Sequence, residues 1–204
     1  MSPEAIAVKT EVRGSARERI FLTARDLFYR LGIRAVGVET IAAEAGTTKM
    51  SLYRHFASKD ELVAECLKEA DREFWEWWDG VVAAYPGQPR RQVLALFEAF
   101  EERCSCEQHR RGCPIVNAAV EIVEDNHPAL PIVQRHGLEI LRRLRAMCRE
   151  MKARDPDRLG AALTLLVGGA LIGRIVFRDP PPRKAVAEAA RILIESPEIG
   201  APST

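Results

Sequence analysis

The chain has 204 residues, 47% of them hydrophobic and 29% charged, which is the balance of a globular protein with enough apolar material for a substantial core. That balance excludes large-scale disorder, and the longest apolar run, Gly160 to Gly173, falls short of the roughly 18 residues that a bilayer span needs. The net charge of +1 hides an asymmetry: residues 1–59 carry ten Lys or Arg against six Asp or Glu, a net of +4, which leaves −3 for the remainder. A basic N-terminal part is what a phosphate backbone attracts.

Residues 1–14 show no hydrophobic period and read as a flexible arm bearing Lys9 and Arg13. They lack the apolar core of an export signal, and five cysteines, an odd number, then fit a reducing cytoplasm better than a disulfide scaffold. Ser15 to Glu18 forms a capping box, after which Ile20, Phe21, Ala24, Leu27, Phe28 and Leu31 line one helical face up to Gly32. A short second helix shows Val38, Ile41 and Ala42 on one side and stops at Gly46. Thr48 can cap a third, in which Leu52 and Phe56 face inward while Lys49, Ser51, Tyr53 and His55 stay outside.

Two short helices that meet at a glycine turn form a helix-turn-helix, here spanning residues 38–57, whose second helix suits the DNA major groove. Lys49 can donate to guanine O6 and N7, Ser51 can pair with a base or a phosphate, and Tyr53 offers a ring and a hydroxyl. His55 and Lys59 are placed for phosphates, Lys59 at the start of a fourth helix whose capping box runs from Ser58 to Glu61.

The run IAAEAGTTKMSLYRHFASKDEL, with its alanine-glycine turn, Leu-Tyr-x-His-Phe helix and Ser-Lys-acidic start, resembles the DNA-binding domain of TetR-type regulators, and the resemblance covers residues 15–75. Three positions depart from the family pattern: Thr47 replaces the usual valine, Met50 a glycine or other small residue, and Gly37 a capping Ser or Thr. Met50 can touch a thymine methyl, Gly37 gives up a phosphate contact, and a carboxylate at Glu39 can only accept from cytosine or face solvent. The resemblance implies an all-α fold of about nine helices: a helix-turn-helix DNA-binding domain over 15–60 and an effector-binding and dimerisation domain over 61–204. It also implies a transcriptional regulator, expected to repress, that binds palindromic double-stranded DNA as a homodimer and is released by a small, largely apolar effector. Thr48, Lys49, Met50, Ser51, Tyr53, His55 and Lys59 are its expected DNA contacts.

Downstream, Leu62, Val63, Cys66, Leu67, Ala70, Phe74 and Trp78 keep helical register until Tyr85-Pro86-Gly87 breaks the fourth helix, which in the family transmits rotation between the two parts. A fifth helix over 89–104 carries Val93, Leu96, Phe97, Phe100 and Cys104 on one side; a sixth starts at Cys113. A seventh, over 128–153, is expected to bury Val133, His136, Gly137, Ile140, Leu144, Met147 and Met151. Asp155-Pro156 opens an eighth that is apolar nearly all round, and a ninth covers 183–194. This pair resembles the helices through which the family dimerises, with Leu163, Leu166, Val167, Ala170, Leu171, Arg174, Val186, Ala190 and Leu193 as the expected interface.

Trp75, Trp78, Phe97, Phe100, Asn117, His136 and Ile140 are the expected effector lining, although plain core packing accounts for the same aromatics. Asn117 and Glu121 could equally cap a neighbouring helix end. Cys104, Cys106, His109 and Cys113 cluster within ten residues and offer an alternative, a metal- or thiol-redox-sensing regulator. Their spacing matches no zinc module, so neither a metal nor a cofactor is expected. A second alternative is a helical small-molecule-binding protein that uses its basic part only for docking. No phosphate-cradling loop, HExxH or GxSxG pattern prompts an enzyme, and no catalytic residue is assigned.

Overall fold

The computed structural model describes residues 14–106, 111–176 and 185–201, and among them there are nine helices and no strand. In chain order these are α1 (Ala16–Leu31), α2 (Val38–Glu44), α3 (Lys49–His55), α4 (Lys59–Ala83), α5 (Pro89–Ser105), α6 (Pro114–Glu121), α7 (Leu130–Glu150), α8 (Pro156–Val176) and α9 (Ala185–Glu195). None of them is long and apolar enough to cross a membrane. The first turns are closed by side chains foreseen from the sequence. Ser15 accepts from the Glu18 amide at 3.2 Å, Thr48 from Ser51 at 3.1 Å, Ser58 from Glu61 at 3.1 Å and Asp155 from Arg158 at 3.0 Å.

The turn between α2 and α3 is set by Gly46. Its N–H donates to the Ala43 carbonyl at 3.2 Å and the Thr47 N–H donates to Ala42 at 2.9 Å, with Gly46 at φ +60°. This paired closure of a helix end requires a left-handed residue after the cap, where glycine has no Cβ to oppose it.

Two apolar cores share α4. In the first, Leu62, Val63, Cys66 and Leu67 pack with Ile20, Ala24 and Leu27 of α1, Ile41 of α2 and Leu52 of α3. Ile115, Ala118 and Ile122 from α6 and the residue beyond it join this same core, so packing runs on past residue 60 into α4 and α6. In the second, Phe74 and Trp78 pack with Leu96, Phe97 and Phe100 of α5, Leu144 of α7, Leu163 and Val167 of α8 and Ala190 of α9. Fully burying such a side chain contributes roughly 1.5–3 kcal/mol. Charged contacts sew α1 along α4: Arg25 meets Glu73 at 2.5 Å and Arg17 meets Glu65. Arg19 ties the start of α1 to the α2 end, donating to the Ala45 carbonyl at 3.2 Å and to Gly14 at 2.9 Å.

Some expected burial is not found. Leu31 ends α1 half exposed, because the turn at Gly32 leads the chain away before another element covers it. Gly137 lies exposed on α7. Of the glycines at 160, 168 and 169 in α8, Gly160 alone lies against another backbone, where a Cβ would meet Arg145 N and Cα at 2.9 Å.

Gly46→Ala should lower stability by about 1–2 kcal/mol, the cost of a left-handed residue with a Cβ, because nothing lies within 4 Å to add a clash. Gly46→Asn, which tolerates that conformation, should cost less; urea unfolding of the three proteins measures both.

Candidate functional site

The α3 helix is seated by Leu52, which is fully buried, and by Phe56 just beyond it. Its opposite side carries Thr48, Lys49, Met50, Tyr53 and His55, all exposed, with Met50 71% and Tyr53 43% accessible. Ser51 is half-buried, and its amide is taken by the Thr48 cap. Arg54 is exposed on the same helix and was not foreseen as a contact. Lys49 donates to Glu39 at 2.5 Å, which holds the Glu39 carboxyl below its usual range and the Lys49 ammonium above its own. Glu39 therefore neither reads a base nor faces solvent alone in the free protein. An exposed pair of this kind is weak and opens readily when a better acceptor arrives.

Lys59 gives one of its three N–H donors to the Ile33 carbonyl at 2.6 Å, and burial pulls its pKa down. The side chain fastens the loop after α1 to the start of α4, where backbone N–H groups add further donors for an anion.

A cavity of about 390 Å³ lies between α1, α4, α5 and α6. Leu22, Phe28, Tyr29 and Ile33 form its α1 side, Val63, Leu67, Ala70 and Phe74 its α4 side, and Phe100, Arg103, Cys113 and Asn117 close it. A smaller groove of about 220 Å³ on α6, α7 and α8 is lined by His136, Ile140, Val167 and Leu171 among others. Phe100 and Asn117 thus reach the larger space, and His136 and Ile140 the smaller. Trp75, Trp78 and Phe97 line neither, because the aromatics satisfy one another: Phe74 sits 5.0 Å from Trp75, 6.0 Å from Trp78 and 6.2 Å from Phe100, while Phe97 is fully buried.

Asn117 and Glu121 hold backbone. Asn117 donates to the Arg111 carbonyl at 2.7 Å, and Glu121 accepts from the Arg34 amide at 3.2 Å. Tyr29 completes a latch between α1 and the loop before α6, donating to Gly112 at 3.2 Å and accepting from Arg111 N at 3.1 Å, while Arg111 reaches the Arg30 carbonyl at 2.8 Å. Burial raises the Tyr29 pKa, so the hydroxyl keeps its proton for this bond.

Halfway along α4, Asp71 accepts from Trp75 Nε1 at 2.8 Å and meets His136 Nδ1 at 2.7 Å, with Arg135 at 3.7 Å. His136 Nε2 is buried without a partner among the described residues. Burial lowers the His136 pKa despite the carboxylate, because a proton on Nε2 would be a second buried donor with nothing to accept it.

Three of the cysteines are held as thiols. Burial pushes Cys66 and Cys148 up to about 12 and raises Cys113 as well. Cys106 is exposed and donates to the Glu102 carbonyl at 3.3 Å. The Cys104 side chain and His109 lie outside the described residues, and among those described no grouping of His, Cys, Asp or Glu could hold a metal ion.

The helices expected to dimerise are rotated from the expected face. Leu163 and Ala190 are fully buried inside the chain, and Val167, Ala170 and Leu171 nearly so, because α8 lays this side on α7 and α5 while α9 packs on α5. Leu166, Val186 and Leu193 are partly buried against the same core, and the side chain of Arg174 is outside the described residues. The apolar surface of these helices is instead Leu165, 78% exposed, with Ile172 and Ile192. Lys9 and Arg13 also fall outside the described residues.

Residues 20–66 match the family described as bacterial regulatory proteins, tetR family. Among solved structures, a TetR-family transcriptional regulator from Streptomyces coelicolor is 30% identical, with a TM-score of 0.76 over 88% of this chain and 92% of that one. A TetR regulator from Chloroflexus aurantiacus, 23% identical, shares the fold at a TM-score of 0.77 over 91% of this chain and 97% of that one. The HTH-type transcriptional repressor KstR2 of Mycolicibacterium smegmatis is 38% identical over 96 residues, spanning 44% of this chain and 45% of that repressor. The likeness thus reaches under half of the repressor's length.

The buried His136 makes stability depend on pH in a set direction. Its folded pKa lies below the usual 6.5, so as pH falls the unfolded chain takes up a proton first, and stability present above that value is lost on the way down. Urea midpoints measured at about pH 7.5 and about pH 5.5 should differ in that sense, and His136→Gln should flatten the difference.

Proposed function

Because the chain belongs to the TetR family of bacterial transcriptional regulators, we propose that it is a homodimeric repressor that binds a palindromic operator and leaves it when a small, largely apolar effector occupies the C-terminal part. In this reading residues 15–60 meet DNA and residues 61–204 bind effector and partner. The observation that carries it is the α3 helix: apolar residues inward, and Lys49, Met50 and Tyr53 exposed outward, with Lys49 bonded to Glu39. Thr48, Ser51 and His55 flank them, and the start of α4 offers its free amides to a phosphate. Arg54 joins this set.

The cavity beside α1 is the proposed effector site, since it is the larger of the two spaces and is mostly apolar with few polar groups. The proposed dimer face is the exposed apolar side of α8 and α9, with Leu165, Ile172 and Ile192 at its centre. Gly168 and Gly169, with nothing within 4 Å of a Cβ position, would let a second helix approach there. A two-fold dimer sets two α3 helices about one DNA turn apart and so calls for a palindrome. The raised thiol pKa values of Cys66 and Cys148, which are buried, and of Cys113, which is partly so, favour an organic effector over thiol sensing through these three.

Operator binding tests the DNA reading. Duplexes from the region upstream of the gene should yield a specific site whose affinity drops steeply between about 50 and 200 mM salt. Lys49→Ala and Tyr53→Ala should each weaken that site about tenfold or more while leaving the fold intact by circular dichroism. A protein that binds no duplex selected from a random pool would contradict the proposal.

The dimer face has its own check. Leu165→Glu should shift the protein from dimer to monomer in light scattering and remove operator binding, whereas Leu138→Glu, an equally exposed apolar position on α7, should do neither.

A further inference from the structure

The charges around the larger cavity are unevenly satisfied. Arg25 is paired with Glu73 at 2.5 Å, Asp26 with Arg30 at 2.7 Å, and Glu121 accepts the Arg34 amide at 3.2 Å. Among the described residues the guanidinium of Arg103, at the end of α5, makes neither a hydrogen bond nor an ion pair, and it lies over the Trp77 ring at 5.0 Å. Trp77 in turn meets Phe100 at 4.8 Å and Phe74 at 5.6 Å, which places Arg103 beside the part of the cavity wall that those two rings form, and near enough to Tyr29 and Cys113 for its charge to act on both. A half-buried guanidinium fixed by stacking, with its N–H fork unused, is a ready receptor for a planar anion. The apolar part of the wall, Leu22, Phe28, Ile33, Val63, Leu67 and Ala70, cannot hydrogen-bond a ligand through its side chains, while Tyr29 and Asn117, which also line the cavity, donate to backbone carbonyls.

From this arrangement we infer that the cavity takes an apolar molecule bearing one carboxylate, with the carboxylate on Arg103 and the apolar body against α1 and α4. The inference rests on the effector site proposed above and names the ligand class for it. It also gives the occupant a direct route to DNA binding. Five α1 residues, Leu22, Arg25, Asp26, Phe28 and Tyr29, belong to the cavity wall, so a ligand touches the helix that supports α2 and α3. Its carboxylate would sit beside the Tyr29 latch to Gly112 and Arg111, the bonds that set how α1 meets the loop before α6.

Decanoate and decan-1-ol, which share a chain and differ in charge, are the probes, with binding followed by tryptophan fluorescence and operator release by anisotropy. Wild-type protein should bind decanoate at least tenfold tighter than decan-1-ol and release operator in response to it. Arg103→Gln should bring decanoate down to the level of the alcohol. Ala70→Phe, which fills the space from α4, should abolish both, and thermal melts identify any variant that has lost its fold. Equal affinity for the two probes, or undiminished decanoate binding by folded Arg103→Gln, overturns the inference. Decanoate binding through Arg103 that leaves operator affinity unchanged retains the carboxylate site but overturns the direct route through α1. Failure of the ligand-free protein to bind any duplex sinks the regulator reading instead, and leaves the fluorescence titrations to judge the carboxylate site on their own.

Discussion

The fold depends on one helix having to satisfy two cores at once. α4 runs 25 residues without an interior proline, roughly 37 Å at 1.5 Å per residue, and its two ends are buried among different neighbours. Leu62, Val63 and Leu67 belong with α1, α2 and α3; Phe74 and Trp78 belong with α5, α7 and α8. A rigid rod held at both ends cannot turn in one core without turning in the other. Its first turn begins at Ser58, two residues after Phe56 seats α3, so any reorientation of α4 is delivered to the helix that faces outward.

Side-chain contacts decide how tightly each end is held. On the α1 side, the Arg25–Glu73 and Arg17–Glu65 pairs are partly exposed and weak, so most of the grip comes from apolar packing. On the α7 side, Asp71 is held by Trp75 and His136 in a site little exposed to water, where a satisfied carboxylate is costly to disturb. The side of α4 that faces α7 is therefore the fixed one. Movement is easier on the side that faces α1, where the cavity leaves space between α1, α4 and α6.

How much of this could be read from the sequence follows the range of the interactions involved. The helix-turn-helix was legible because it is local: capping hydroxyls act within three residues, Gly46 acts within its own turn, and Leu52 and Phe56 share a face by period alone. The orientation of α8 was not legible, because a helix that is apolar on every side carries no mark of which side meets its own chain. Leu163 and Leu165 look alike in sequence, and packing on α7 and α5 separates them, leaving one fully buried and the other 78% exposed. The aromatics misled for a related reason. Trp78 and Phe97 carry the same signal whether they line a space or fill it, and here they fill it. Arg103 gave no signal at all, since the role proposed for it comes from Trp77 on another helix and from a guanidinium without a polar partner among the described residues.

Magnitudes make the proposed linkage between effector and operator reasonable without any large rearrangement. Coupling between two sites is typically about 1–3 kcal/mol, equal in both directions. A single net hydrogen bond contributes about 0.5–1.5 kcal/mol, so changing two or three of them between the DNA-bound and effector-bound arrangements supplies the whole of it. Three contacts join α1 to the loop before α6, through Tyr29 and Arg111, and they lie beside the cavity. The two cores can then keep their packing while the angle between α1 and α4 shifts, and only this angle needs to differ for two α3 helices on a dimer to change their spacing on DNA.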